Sequence, residues 1–575
     1  MVADLLYVAG RGVATAGRSV AGLGTGIGSA WRRVPLGVRQ GIAGALALAV
    51  LLVAVIALAV PVLPCEFPGG DRCPPPDEAA EVVPAQALAY VHLNADPETE
   101  QFEQLVGSAD AVPGFRQQIL ARALALVPGP GGEPPDYAVD IEPWFGGEAA
   151  IAIIPGPGTS TERVVLLEVA DGEGARGYAE SVATGLPEPE DYRGVELTAD
   201  QRDVATAQVE GFLALGSRSG VRAVIDTATG ARGASSLADD GSAGDVRDEL
   251  PDHRFLEFWV SRAGATDLVA ASGETLGSLA PFLSPASTEG AAVAVFAGED
   301  DLGVAVRSAL DPEREQTSPG LFTAFPSFEP NLTDRLADDS LAYLGIGDPG
   351  RTVRELLGRA AAEAPGVASG FDDLVEALRR EDDLDIEKEL LPALGDEGAF
   401  AIEPRDALPY LEFVTDGVEE EAARQALAAL QKPLAESVDP ASGLEAGGFS
   451  EQEIGGVQAH SLRVSPAIEL TYAVFDGLAA ISTDPAGIAG LVEGEGGLSD
   501  ADGFERATEG FEDEVSLLAY FDLRRLIEEG FEIGLAQVPA FNTFATDFRN
   551  LEALGLSVRT SDDMLATDAR LVFGK

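Results

Sequence analysis

Glu148 and Glu397 are the residues whose setting most suggests chemistry. Each follows a short Gly-containing turn and opens an apolar strand, in GGEAAIAI (146–153) and GDEGAFAI (395–402). Two carboxylates held about 5–10 Å apart can divide the work of hydrolysis between acid and base, or acid and nucleophile. Asp140 and Glu142, and again Asp385 and Glu387, recur just ahead of them as Asp-Ile-Glu triplets. The competing reading makes all six turn and capping residues, because an acid near a helical first turn accepts backbone N–H groups and offsets the helix dipole. Asp382-Asp383-Leu384-Asp385 and Asp500-Ala501-Asp502-Gly503-Phe504-Glu505 offer oxygen ligands, but neither has the twelve-residue register of a calcium-binding EF-hand loop.

The histidines, His92, His253 and His460, are far apart in sequence. None is accompanied by a serine or cysteine elbow, so each reads as a structural or solvated residue rather than a general base. Gly216-Ser217-Arg218-Ser219-Gly220 puts arginine at the position a nucleophilic serine would need. The Gly-rich stretch 22–28 lacks the lysine of a phosphate loop, and no dinucleotide fingerprint is present. No cofactor and no metal site is therefore expected. Cys65 and Cys73, the only cysteines, are separated by EFPGGDR. They suit an intrachain disulfide or a bridge between neighbouring chains, while a metal site would want more ligands nearby.

The elements that would position these residues begin with a membrane segment. Residues 41–64, GIAGALALAVLLVAVIALAVPVLP, carry no charge, and about 20 helical residues cross a hydrocarbon core. Arg11, Arg18, Arg32, Arg33 and Arg39 precede the run, against one acid, Asp4. Arginine beside such a segment stays cytoplasmic, which predicts an N-terminus inside and the body outside. The 40-residue leader and the length of the apolar run argue against a cleaved signal peptide, and Pro64 ahead of Cys65 argues against a lipoprotein. Beyond the run the chain is strongly acidic, with a net charge of −58 for the whole chain. That repels nucleic acid and anionic headgroups.

The body reads as two copies. Leu88-Ala89-Tyr90 recurs as Leu341-Ala342-Tyr343, followed by Asp96-Pro97 and Asp348-Pro349, then by Pro113-Gly114 and Pro365-Gly366. VEGFLALGS (209–217) matches FDGLAAIST (475–483), with Glu210-Gly211 and Asp476-Gly477 at the hairpin turn, and Asp300-Asp301-Leu302 matches Asp562-Asp563-Met564. The expected organisation is a cytoplasmic tail (1–40), a transmembrane helix (41–64) and a Pro-rich stalk with the cysteine pair (65–83). A first exported repeat (84–311), a linker (312–335) and a second exported repeat (336–575) follow. Hairpins with intervening helices, such as 353–362 and 419–430, predict an α+β class: two tandem related units of antiparallel sheet with packed helices, preceded by one transmembrane helix.

VPAQALAYVHLNADP (83–97) and DIEPWFGGEAAIAI (140–153) resemble a bacterial, membrane-anchored family catalogued as domain of unknown function 3352. The resemblance implies a basic cytoplasmic leader, one membrane helix and an exported body in the cell envelope. It implies no activity and transfers no catalytic residue. The functional expectation is a single-pass, extracytoplasmic, non-enzymatic binding or scaffolding module of the envelope. It would contact the bilayer through residues 41–64 and an envelope protein or glycan through its body, with no nucleic-acid partner. The alternative is an envelope hydrolase using a carboxylate pair.

Overall fold

The computed structural model describes residues 77–574 except 95–120, 122, 159, 184–188, 252–253, 266–286, 299, 316–321, 364–378, 380–384, 406–407, 438–447, 466 and 495–496. Residues 41–64, both cysteines, the Gly-rich tail, His253, Asp96-Pro97, Pro113-Gly114, Pro365-Gly366, Asp382 and Asp383 lie outside the described residues.

The first half contributes β1 (Ala89–Asn94), β2 (Phe145–Pro155), β3 (Thr161–Val169), β4 (Glu190–Tyr192), β5 (Val195–Ala199), β6 (Val204–Val209), β7 (Phe212–Ser217), β8 (Leu256–Ser261), β9 (Thr288–Ala297) and β10 (Asp301–Leu310). The second contributes β11 (Ala342–Gly347), β12 (Glu397–Glu403), β13 (Tyr410–Asp416), β14 (Ser450–Ile454), β15 (Val457–Ser465), β16 (Ile468–Phe475), β17 (Leu478–Ser482), β18 (Leu517–Asp522), β19 (Leu551–Thr560) and β20 (Met564–Phe573).

Among the described residues every strand pairing is antiparallel. The first half runs β4-β5-β6-β7-β3-β2-β1-β8-β9-β10. The second runs β20-β19-β18-β11-β12-β13-β17-β16-β15-β14. Read outward from the middle, the two halves present their strands in the same order. β10 and β20 join them, with Asp301 opposite Val572 and Val306 opposite Thr567.

The expected architecture of two tandem α+β units is therefore corrected, while residues 41–64, expected as a transmembrane helix, lie outside the described residues. Among the described residues, one antiparallel sheet of twenty strands runs through both halves. Among the described residues no helix is long and apolar enough to cross a membrane. The physical reason for the merger lies at the strand edges. β10 and β20 would each present an unpaired row of N–H and C=O groups if the halves stood apart, and pairing them satisfies both rows.

Local chemistry explains many of the turns. The β6–β7 and β16–β17 hairpins turn on Glu210-Gly211 and Asp476-Gly477, all four with positive φ, the backbone a two-residue hairpin of this twist requires. Ser217 accepts from Gly220 N at 3.1 Å and so caps the helix Arg218–Ala228. Gly220 packs against Val164, where a Cβ would come within 2.7 Å of its methyl group. The GSRSG segment is thus a strand-to-helix packing turn. Asp348 caps the helix Pro349–Glu363 by accepting from Arg351 N at 2.8 Å.

On one face of the sheet a core is drawn from both halves, including Leu256, Val295 and Leu302 with Leu517, Leu554 and Leu571. Phe322 and Phe325 from the connecting segment complete it. The opposite face is divided. Tyr90, Ala152, Leu166 and Phe212 pack under Val221, Val224 and Val246 in the first half. Tyr343, Ala401 and Leu518 pack under Ile488 and Phe504 in the second.

Candidate functional site: a buried charged cluster in the first half

Strand β1 alternates, so Tyr90, His92 and Asn94 point to the same face and are all buried. Across β1 from His92 stand Ala150 of β2 and Glu257 of β8. Asn94 faces Glu148, which follows Gly146-Gly147 where β2 shifts register against β3. The segment that precedes β1 folds back over this face through a short turn of helix, Ala79–Glu81, and brings Asp77 above the strands.

The result is an ionic cluster under cover. Tyr90 Oη donates to Asp77 Oδ1 at 2.5 Å, and Ala80 N donates to the same oxygen at 3.1 Å. Arg247, the last residue of the helix Gly241–Arg247, bridges Asp77 and Glu257. Arg254 donates to the other oxygen of Glu257 at 2.7 Å. Glu148 Oε1 accepts from Ala79 N at 2.8 Å. His92 Nε2 lies 3.2 Å from Glu148 Oε1 and 3.8 Å from Asp77 Oδ1. These are ion-pair separations that lack hydrogen-bond alignment, so Nε2 is a buried nitrogen without a hydrogen-bond partner.

Electrostatics follow from the packing. Burial pushes the Asp77 carboxyl up, but His92 and Arg247 more than offset this and hold it below the usual carboxylate range. Burial likewise opposes a proton on His92, while Asp77 and Glu148 outweigh it and raise the imidazole above its ordinary value. Burial, then Asp77, drives the Tyr90 hydroxyl far up, so it remains a donor. Asp77, His92 and Glu148 each present one ligand atom within 4.8 Å of the others, a set able to hold a metal ion.

The second half builds the same place with the glutamate alone. Leu332 N and Asn331 N donate to the two oxygens of Glu397 at 3.0 and 3.1 Å, as Ala79 N does to Glu148. Tyr343 repeats Tyr90, but Gly345 stands where His92 is, opposite Leu518 instead of Glu257. Pro330 occupies the place of Asp77, two residues before the capped N–H. Thr508 ends the helix Asp502–Thr508 where Arg247 ends its own, and Val515 replaces Arg254. The Tyr343 hydroxyl fills the vacated space: a Cβ on Gly345 would come within 2.2 Å of it.

The remaining expected residues are dispersed. Asp136 caps the turn Tyr137–Ile141, and Asp140 accepts from the Asp136 N–H at 2.8 Å while its carbonyl takes the Trp144 indole N–H. Glu142 is exposed beside it. Asp385 accepts from Lys388 Nζ at 2.7 Å, with Glu387 exposed in the same turn. Asp502 and Glu505 belong to a helical first turn. His460 stacks on Tyr472 at 4.9 Å. Glu148 and Glu397 are not brought together, since eight strands stand between β2 and β12 in the sheet. Sequence reading assigned Asp77 to a stalk and passed over Arg247, Arg254 and Glu257. One signal was available: an acid inside the apolar strand LEFWVS, where the matching strand LLAYFD has leucine.

Fold and site together define a protein built on one large antiparallel sheet, with an ionic cluster buried in one half of it. The chain belongs to the DUF3352 family, described as a protein of unknown function, whose pattern matches residues 42–567. No curated protein matches the chain. Among solved structures it is similar to TP0453 in crystal form I, at 7% identity over 41% of this chain and 79% of that one, with a TM-score of 0.25. Crystal form III of TP0453 gives 9% identity over 42% and 80%, again with a TM-score of 0.25.

Proposed function

We propose that the chain is a membrane-attached, extracytoplasmic binding or scaffolding protein of the cell envelope, without enzymatic activity of its own. One observation carries the choice over a carboxylate-pair hydrolase. Glu148 and Glu397 both serve as acceptors for the backbone N–H groups of the segment ahead of the first strand of their half. Along the sheet they are about 40 Å apart at roughly 4.8 Å per strand, far beyond the separation that two hydrolytic carboxylates use.

Attachment is assigned to the uncharged run 41–64, with the arginine-rich leader inside and the acidic body outside. The family pattern begins at residue 42, within that run, which supports treating the run and the body as one functional unit. The matching strand order of the two halves supports an origin by internal duplication of one ten-strand unit. The binding surface is assigned to the body, and its partner to an envelope protein or glycan.

The test uses the full chain in its own envelope. Protease added outside intact cells should digest the body, and site-specific crosslinkers on the body should trap one defined partner that captures the chain in return. Release of soluble glycan or peptide from purified envelope by the wild type, lost in Glu148→Gln or Glu397→Gln variants that still fold, would establish the hydrolase instead.

A further inference from the structure

We infer that Asp77, His92 and Glu148 form a binding site for a divalent metal ion of the zinc class, present in the first half of the sheet and absent from the second. The inference stands apart from the scaffolding proposal and needs no partner.

Geometry supports it first. An ion bound at about 2.0–2.2 Å by tetrahedrally arranged ligands sets those ligands roughly 3.3–3.6 Å apart. Nε2 stands 3.2 Å from Glu148 Oε1 and 3.8 Å from Asp77 Oδ1, so small side-chain adjustments centre an ion among them. One imidazole with two carboxylates is a donor set that suits zinc and its neighbours better than magnesium or calcium.

The second support is the imidazole itself. His92 is 5% exposed, and its Nε2 is aimed between two carboxylates at ion-pair distance from both, without hydrogen-bond alignment to either. A buried polar atom in that state calls for a specific reason, and a metal lone-pair acceptor supplies one. The ligands also have outer partners: Tyr90 Oη and Arg247 hold Asp77, and Ala79 N holds Glu148. Groups of this kind orient metal-bound carboxylates.

The third support is the second half, which acts as an internal control. Glu397 keeps the backbone-capping duty of Glu148, so the fold accounts for the glutamate. It does not account for His92, since Gly345 stands in its place within an intact sheet and apolar core, and the segment ahead of β11 does without the carboxylate of Asp77, having Pro330 there. Burying charged and imidazole groups is costly. The first half bears that cost where the second shows the architecture does not require it. Three protein ligands leave at least one coordination position for water or a partner's group. The ion would also fasten the segment at Asp77 onto β1 and β2.

The experiment uses full-length chain in detergent, stripped with chelator and then titrated with zinc chloride at neutral pH by calorimetry, with metal analysis after dialysis. The expected result is a saturable site holding one zinc per chain, a melting temperature that rises with zinc, and proton release on binding. His92→Gln should weaken this site at least about tenfold, and Asp77→Asn, which keeps the side-chain shape, should do the same if the histidine variant fails to fold. His460→Gln should leave affinity unchanged. Cobalt provides a second readout, because its visible absorption should show mixed nitrogen and oxygen coordination in wild type and lose it in Asp77→Asn. Wild type that retains no zinc overturns the inference. So does zinc retained with the same affinity by both His92→Gln and Asp77→Asn, which would place the ion elsewhere on this acidic chain.

Discussion

His92 and Gly345 hold the same register position in the two halves of the sheet, the first opposite Glu257 and the second opposite Leu518. Around the first lies an ionic cluster, and around the second an aromatic one, in which Phe504 meets Tyr343 and Tyr520 edge-on at 6.4 and 5.3 Å. The Tyr343 hydroxyl occupies the room that a side chain at position 345 would need. One scaffold thus supports two different interiors at one site.

That relationship predicts the outcome of transplanting the histidine. Gly345→His should lower stability by about 1–3 kcal/mol, because the new Cβ displaces the buried Tyr343 ring. It should create no zinc site, since Pro330 offers no carboxylate. Urea unfolding and zinc titration of the variant check both statements.

The acids of β12 and β13 predict how stability depends on pH. Burial pushes the Glu412 carboxyl up to about 8, and Glu403 nearby adds to it. Burial raises Glu403 and Glu397 to about 7. A carboxyl raised in the folded state holds its proton where the unfolded chain has lost it. Stability is therefore fully present near pH 4.5 and declines as pH rises through about 7 to 8. Glu412→Gln should remove much of that slope, adding on the order of 2–4 kcal/mol at pH 9 and little at pH 5. Melting curves of both proteins from pH 5 to 9 decide it, and parallel curves would reject the assignment.

The seam between halves predicts cooperative unfolding. Arg307 on β10 donates to Glu249 O at 3.1 Å, to Thr567 O at 3.3 Å and to Asp568 Oδ1 at 2.9 Å. Arg307→Ala strands those acceptors and should cost about 2–3 kcal/mol. Because Leu302 and Leu571 share one core, unfolding should remain a single transition by fluorescence and circular dichroism in wild type and variant alike. Two resolved transitions in the wild type would mean that the halves are energetically separate.

The shared cap predicts a graded series at Glu397. Glu397→Ala leaves Asn331 N and Leu332 N without their acceptors and should cost about 1–3 kcal/mol. Glu397→Gln keeps one carbonyl acceptor and should cost less. Equal losses in the two variants would point to charge and not to capping.

Much of this protein was legible in its residues. Asp-Gly and Glu-Gly turns need positive φ, and the hairpins form on them. The recurrence of Leu88-Ala89-Tyr90 as Leu341-Ala342-Tyr343 puts His92 and Gly345 at the same register, and alternation along a strand sets Tyr90 and His92 on one face. Asp140 accepts locally from Asp136 N, whereas the Asp385 side chain makes no cap and pairs with Lys388 Nζ instead.

What the residues alone could not decide was non-local. Two similar halves do not state whether their outer strands stand alone or pair. That depends on the fit of β10 against β20, and it turned an expected pair of units into one sheet. Nor could spacing bring Asp77 beside Arg247, 170 positions away, since that contact needs the chain ahead of β1 to fold back over the strands. The sequence by itself determined the hairpin turns, a property of short segments. Only the tertiary structure decided the seam and the ionic cluster, because both depend on groups that meet only once distant segments have packed together.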